Sequence, residues 1–305
     1  MKRHLSGVNL LLLGLSASLI AAACGARSGL EEGRSGPEPI EAGAGGGGGY
    51  ADAGTGGAPN DAEPFNCEEA GVTFIYVMTA EEDLFRFYPP DLTFTLIGSI
   101  SCAGAGGVTP YSMAVDRKGT GYVLFGDGQI YRVSTATASC EKTKFSTTQE
   151  GFNLFGMGFA ANKDDPGEQL FVASHGGQIK RLATIDTKTM DLNVVGAFSS
   201  TVGNLELTGT GDGRLFGFGQ VPLGAHFSEI DQSDAKVKSD IMVPLGQTIS
   251  GYAFAFWGGD FYFFTSSGGK PSTVTRFRPE DGSFTSVATL NRIIVGAGVS
   301  TCAPQ

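Results

Sequence analysis

One unit recurs along the chain, and it constrains the fold more than any other feature. Five segments of apolar and small residues lead sets of short predicted strands: SMAVD from Ser112, GMGFA from Gly156, ELTGT from Glu206, AFAFW from Ala253 and GAGVS from Gly296. They follow one another at intervals of roughly 45 residues, the repeat length of a four-stranded propeller blade. The sequence therefore predicts an all-β protein, a β-propeller with five four-stranded blades.

The two ends of the repeat predict how the ring closes. The first blade, from Val72 to Ile100, has three strands and no leading strand, whereas nothing follows the last leading strand, within Ile293 to Thr301. We therefore expect the C-terminal strand to complete the first blade as its innermost strand, which removes exposed sheet edges. Six blades of about 39 residues would require a different division of the chain and remain the alternative.

The aligned leading strands predict a crowded axis and one residue that crowding does not explain. Most residues on one side of these strands are small, because innermost strands approach each other closely at a propeller axis. Glu206 is the only charged residue at its aligned position. We expect Glu206 to line the central funnel as the best candidate for a polar or cation contact. The alternative is a carboxylate that is solvated or bonded to neighbouring backbone.

The N-terminal sequence predicts export and anchoring. Two basic residues precede an apolar run that ends just before Cys24, which is typical of a signal peptide over residues 1–23. The small residues before Cys24 resemble a lipobox and predict its acylation, with cleavage by an ordinary signal peptidase as the alternative. Residues 24–66 are rich in glycine and predict a lipid-anchored flexible linker. Residues 67–305 then form the propeller domain.

The five cysteines support the same organisation. If Cys24 carries lipid, four cysteines remain and can pair fully. Cys67 precedes the first blade and Cys302 follows its expected innermost strand, so a Cys67–Cys302 bridge would hold the ring closed. Cys102–Cys140 then follows by exclusion, although four cysteines allow three connectivities.

Composition excludes several function classes. The formal net charge of −10 and the absence of a basic face argue against a nucleic-acid partner. His175 and His226 are scattered and have no cysteine neighbours, which argues against zinc. His175 lies in a Ser-His-Gly-Gly stretch and is expected to be solvated. The acidic Gly turns lack the ligand spacing of an EF-hand and are typical of hairpins.

Three sequence segments resemble segments of a known group of proteins: Met113 to Arg117, Leu207 to Phe216 and Phe254 to Tyr262. Through these segments the chain resembles bacterial lipoproteins, frequent in myxobacteria, in which a lipid-anchored Gly-rich linker precedes a propeller. The resemblance covers essentially the whole chain. It implies export, lipid anchoring at the outer membrane on the periplasmic or cell-surface side, and the fold. It brings no activity with it.

Two functions remain open. The first is a non-enzymatic binding module, a monomer that contacts the membrane only through its lipid anchor and binds a protein or carbohydrate ligand. The second is a metal-dependent propeller hydrolase similar to gluconolactonases, which hold a divalent cation at the channel with Glu, Asn and Asp. Glu206, Asn204 and Asn153 would match that set, with calcium as the cofactor, but a fourth ligand has no match. We therefore favour the binding module, without catalytic residues or a cofactor.

Overall fold

The computed structural model covers the propeller region. The residues it describes are 67, 73–102, 106–221, 224–245 and 248–305. The predicted signal peptide, the lipidation site Cys24 and the predicted linker of residues 24–66 lie outside the described residues. Among the described residues, no helix is long and apolar enough to cross a membrane.

The described residues form twenty strands in five antiparallel sheets of four strands each. Blade 1 contains β1 (Ile75–Thr79), β2 (Asp83–Tyr88) and β3 (Thr93–Ser99). Blade 2 contains β4 (Pro110–Val115), β5 (Thr120–Phe125), β6 (Ile130–Ser134) and β7 (Cys140–Lys142). Blade 3 contains β8 (Phe155–Ala161), β9 (Glu168–Ser174), β10 (Arg181–Ile185) and β11 (Leu192–Ala197).

The remaining strands complete the ring. Blade 4 contains β12 (Asn204–Gly209), β13 (Leu215–Val221), β14 (Gly224–Ile230) and β15 (Val237–Val243). Blade 5 contains β16 (Gly251–Trp257), β17 (Asp260–Ser266), β18 (Ser272–Arg278) and β19 (Ser283–Leu290), and the last strand is β20 (Ile294–Val299). One 3-10 turn lies at Gln149–Gly151, before β8. The predicted five-bladed propeller is confirmed.

The ring closes as the repeat predicts. Strand β20 pairs antiparallel with β1, in a register that runs from Ile75 opposite Val299 to Thr79 opposite Ile294. Blade 1 therefore has the order β20-β1-β2-β3, with the C-terminal strand innermost. Since the first and last parts of the domain share one sheet, β20 covers the inner edge of β1, which would otherwise be unpaired.

Both predicted disulfides are present. Cys67 and Cys302, 235 residues apart in sequence, have Cα atoms 5.1 Å apart and join the beginning of the domain to the end of β20. Cys102 and Cys140, 38 residues apart, have Cα atoms 5.2 Å apart and connect the exit of blade 1 to β7 of blade 2.

The innermost strands pack closely enough to require small residues. A Cβ atom placed on Gly156 of β8 would lie 2.0 Å from the carbonyl oxygen of Leu205 in β12. A Cβ atom on Gly158 would lie 2.5 Å from the carbonyl oxygen of Leu207. Both distances are shorter than a van der Waals contact, so the backbones of blades 3 and 4 touch at the axis and leave no room for a side chain.

The hydrophobic core lies between neighbouring blades. All seven residues of the innermost strand β8 are buried, whereas no residue of the outermost strand β19 is buried. Blades 4 and 5 share an aromatic cluster in which Phe218 and Phe263 have ring centroids 4.6 Å apart. The aromatic sequence of blade 5 therefore belongs largely to the core, and packing of this kind holds the blades at fixed angles around the axis.

Candidate functional site

A cavity of about 320 Å³ opens at one end of the axis, where the innermost strands begin. We call it the axial cavity. All five blades contribute to its lining through Val295, Tyr111, His175, Glu206 and Tyr252, from blades 1 to 5 in that order. Further polar groups come from Thr109, Asn204 and Ser250. Two larger hollows, of about 460 and 440 Å³, lie on the outer strands of blades 1 and 2, away from the axis.

Glu206 is a buried carboxyl at the base of this cavity. It is the third residue of β12, and only 4% of its surface is exposed. The Ser112 hydroxyl of β4 donates to Glu206 Oε2 at 2.6 Å, while Ser112 Oγ accepts from the Met157 N–H at 3.1 Å. Burial raises the pKa of Glu206 well above its usual range, and the bond from Ser112 opposes that shift only in part.

His175 is held by two hydrogen bonds at the rim. Its Nε2 lies 2.8 Å from the carbonyl oxygen of Leu205, and its Nδ1 lies 2.6 Å from the hydroxyl of Tyr111. Burial lowers the pKa of His175 to about 4, so the ring is neutral near neutral pH. The expectation that His175 is solvated is wrong, because the segment after β9 folds back against β12 and β4.

Tyr252 and Asn204 form the part of the rim that comes from blades 5 and 4. The Tyr252 hydroxyl donates to the backbone carbonyl oxygen of Asn204 at 2.6 Å. The Asn204 side chain accepts from Lys180 Nζ at 2.9 Å, and the same ammonium donates to the His175 carbonyl. Burial and the charge of Glu206 raise the pKa of Tyr252, and the same two causes raise the pKa of Tyr111 to about 12.

The structure brings together two of the three predicted site residues. Glu206 and Asn204 both line the axial cavity. Asn153 does not line it and is exposed, because the segment before β8 buries Phe152 and Phe155 and turns Asn153 outward. The three residues that the alternative hydrolase would use therefore do not meet at the axial cavity. Among the described residues, no three His, Cys, Asp or Glu side chains cluster so as to hold a metal ion.

The sequence did not assign three lining residues to the site, and aligning the leading strands from one position earlier could have found two of them. Tyr111 and Tyr252 each stand one position before the aligned small residue of their leading strand. Polar aromatic residues at that position, in two of five repeats, are a departure from the apolar pattern. His175 gave no comparable signal, because its contact with Tyr111 joins residues 64 apart in the sequence.

Comparisons with known proteins find similar solved structures but no family. No family model matches the chain, and no curated protein matches it. The TolB crystal structure from Acinetobacter baumannii is similar at 13% identity and a TM-score of 0.42, covering 72% of this chain and 53% of that one. A nidogen/laminin complex is similar at 12% identity and a TM-score of 0.43, covering 77% and 87%. The chain thus spans about half the length of the TolB structure.

Proposed function

We propose that this protein is an exported, lipid-anchored propeller that acts as a monomeric, non-enzymatic binding module at the outer membrane or cell surface. Its ligand site is the axial cavity. One observation carries the proposal: Glu206, a buried carboxyl, lies at the base of a cavity to which all five blades contribute. Convergent polar groups in a concave pocket are the usual mark of a ligand site.

The cysteine pairing supports the anchoring part of the proposal. Cys67 pairs with Cys302 and Cys102 with Cys140, so four of the five cysteines are used within the propeller. Disulfides are typical of exported proteins. Cys24 is then left without a cysteine partner in the chain, which fits its acylation. Mass spectrometry of the exported protein tests this directly, since acyl groups on Cys24 are expected and a free thiol there would contradict it.

The hydrogen bonds of the rim favour binding over catalysis. His175 uses both ring nitrogens in contacts with the wall, so it has no free lone pair with which to act as a general base. The Tyr111 pKa of about 12 keeps that hydroxyl protonated near neutral pH. These groups are held in place by their own hydrogen bonds, which suits them to binding a ligand.

A blocking variant tests the site. Ser250 is an exposed residue at the mouth, and Ser250→Trp should fill the opening without disturbing the core. Ser283→Trp, at an exposed position of β19, is the matched control. The exported protein is titrated by calorimetry with sugars, amino acids, alkyl amines and lactones, and binding should be lost in Ser250→Trp alone.

Two results would overturn the proposal. The first is that no probe binds in a way that Ser250→Trp abolishes. The second is calcium-dependent lactone hydrolysis that Glu206→Gln abolishes, because that outcome would establish the hydrolase instead.

A further inference from the structure

The two tyrosines that line the axial cavity already donate their hydroxyl protons to neighbouring groups. The Leu205 carbonyl can only accept, so His175 Nε2 carries the hydrogen of that bond and Nδ1 of the neutral ring is an acceptor. Tyr111 must therefore donate its proton to His175. Tyr252 likewise donates to the Asn204 carbonyl. Both tyrosine oxygens can still accept hydrogen bonds, but neither has a proton left for a ligand.

Glu206 adds a third acceptor. Ser112 receives the Met157 N–H and so gives its own proton to Glu206 Oε2. Among the described residues, no group donates to the other carboxylate oxygen, Oε1, and none of their ion pairs includes Glu206. An ionised carboxylate buried in this way is costly unless a cation compensates it.

The three acceptors Glu206, Tyr111 and Tyr252 match one ligand chemistry. We propose that the ligand presents a primary ammonium group to Glu206 and to the hydroxyl oxygens of Tyr111 and Tyr252. An ammonium supplies one positive charge and three N–H donors, which fits one carboxylate and two neutral acceptors. A divalent metal ion prefers more carboxylates than this wall offers, and a quaternary ammonium has no N–H to donate. The inference rests on the proposed function, because it names the ligand of the same cavity.

The groups that face Glu206 leave it as the one that titrates on binding. Tyr111 has a pKa of about 12, the pKa of Tyr252 is raised, and His175 has a pKa of about 4. Burial lowers the pKa of Lys180, whose ammonium is tied to the outer side of the rim by Asn204 and the His175 carbonyl. An incoming ammonium favours the ionised carboxylate, so a proton leaves Glu206 as the ligand binds.

The same ammonium chemistry has two sources, a free alkyl amine or a lysine side chain on a protein. The full exported protein is therefore titrated with n-pentylamine, with Nα-acetyl-lysine methylamide and with the neutral isostere n-pentanol. At about pH 8, both amines should bind at least about tenfold more tightly than n-pentanol. Preference for the lysine probe would identify a protein partner, and preference for pentylamine would identify a small amine.

Two variants and the pH dependence test whether Glu206 causes the preference for amines over n-pentanol. Glu206→Gln keeps the shape and the Ser112 bond but removes the charge, so the preference for amines over n-pentanol should disappear. Glu141→Gln, an exposed residue of β7, should leave that preference unchanged. Amine affinity should rise by about tenfold from about pH 5 to about pH 8, with proton release visible as buffer-dependent heat.

The comparison of probes on the unmodified protein keeps the test decisive even if Glu206→Gln fails to fold. Equal affinity for n-pentylamine and n-pentanol would overturn the ammonium assignment. If a neutral sugar then binds and Ser250→Trp abolishes that binding, the binding module stands and only the ligand chemistry is wrong. If no probe depends on Ser250, both proposals fail together.

Discussion

Two glutamates lie at opposite ends of the propeller axis, and their surroundings differ. Glu168, with 13% of its side chain exposed, accepts from the Arg117 N–H at 2.7 Å and from the Thr301 hydroxyl at 2.8 Å. The Arg117 guanidinium lies 3.8 Å from the same carboxylate. Glu206 is more buried and receives one hydrogen bond, from Ser112.

The difference separates a structural carboxylate from one that is available to a ligand. Burial raises the pKa of both groups, but hydrogen bonds from Arg117 and Thr301 counteract the effect at Glu168. The pKa of Glu206 is raised well above its usual range because Ser112 alone opposes burial. We infer that the contacts of Glu168 stabilise the ring. The burial of Glu206 beside the cavity instead lowers the stability of the fold.

The largest expected effect concerns the closure, which also lies at the Glu168 end. Replacing Cys67 and Cys302 together by Ser should lower the free energy of unfolding by about 4 kcal/mol, because the bridge constrains a very long loop of the unfolded chain. The matched control replaces Cys102 and Cys140, whose loop is shorter, and should cost roughly 1 kcal/mol less. Urea unfolding measures both, and a larger loss in the control would contradict this ranking.

A smaller loss is expected at the ion pair itself. Glu168→Gln should destabilise the fold by about 2 kcal/mol, because Arg117 loses its counter-charge and one acceptor. Glu229→Gln is the control, since Glu229 pairs with the half-exposed Arg214 and should cost less than about 1 kcal/mol. Amine binding at the far end should not change in either variant. Equal losses would show that the Arg117 contact has no special structural role.

The smallest effect is expected at Glu206 and depends on pH. Its pKa is higher in the folded than in the unfolded chain, so the unfolded chain loses its proton first as pH rises from about 4.5. The wild-type fold therefore loses stability through that window, and Glu206→Gln does not. The variant should match the wild type near pH 4 and be more stable than the wild type near pH 8 in urea unfolding. A variant less stable than wild type at pH 8 would assign Glu206 a structural role like that of Glu168.

The repeat made the architecture predictable from sequence. Small residues such as Gly156 and Gly158 recur because every blade meets the same crowding at the axis, so periodicity alone locates the innermost strands. The shared sheet of β1 and β20 follows from counting strands, and the Cys67–Cys302 bridge follows from that closure.

The site was less predictable, because loops and long-range contacts set it. Asn153 follows a 3-10 turn, and the burial of Phe152 and Phe155 decides which way it points. The Tyr111–His175 bond depends on how far the segment after β9 folds inward, which no local pattern encodes. Strand β7 has only three residues, too few to show the alternation of apolar and polar residues that indicates a strand.

The pairing of β20 with β1 has a consequence for how the protein matures. Since β1 is synthesised long before β20, blade 1 remains incomplete until the last strand of the chain is available. A chain that ends before Ile294 lacks the strand that pairs with the inner edge of β1, so that edge stays unpaired. Because Cys302 follows β20 in the sequence, the Cys67–Cys302 bond can form only after the last strand has been synthesised.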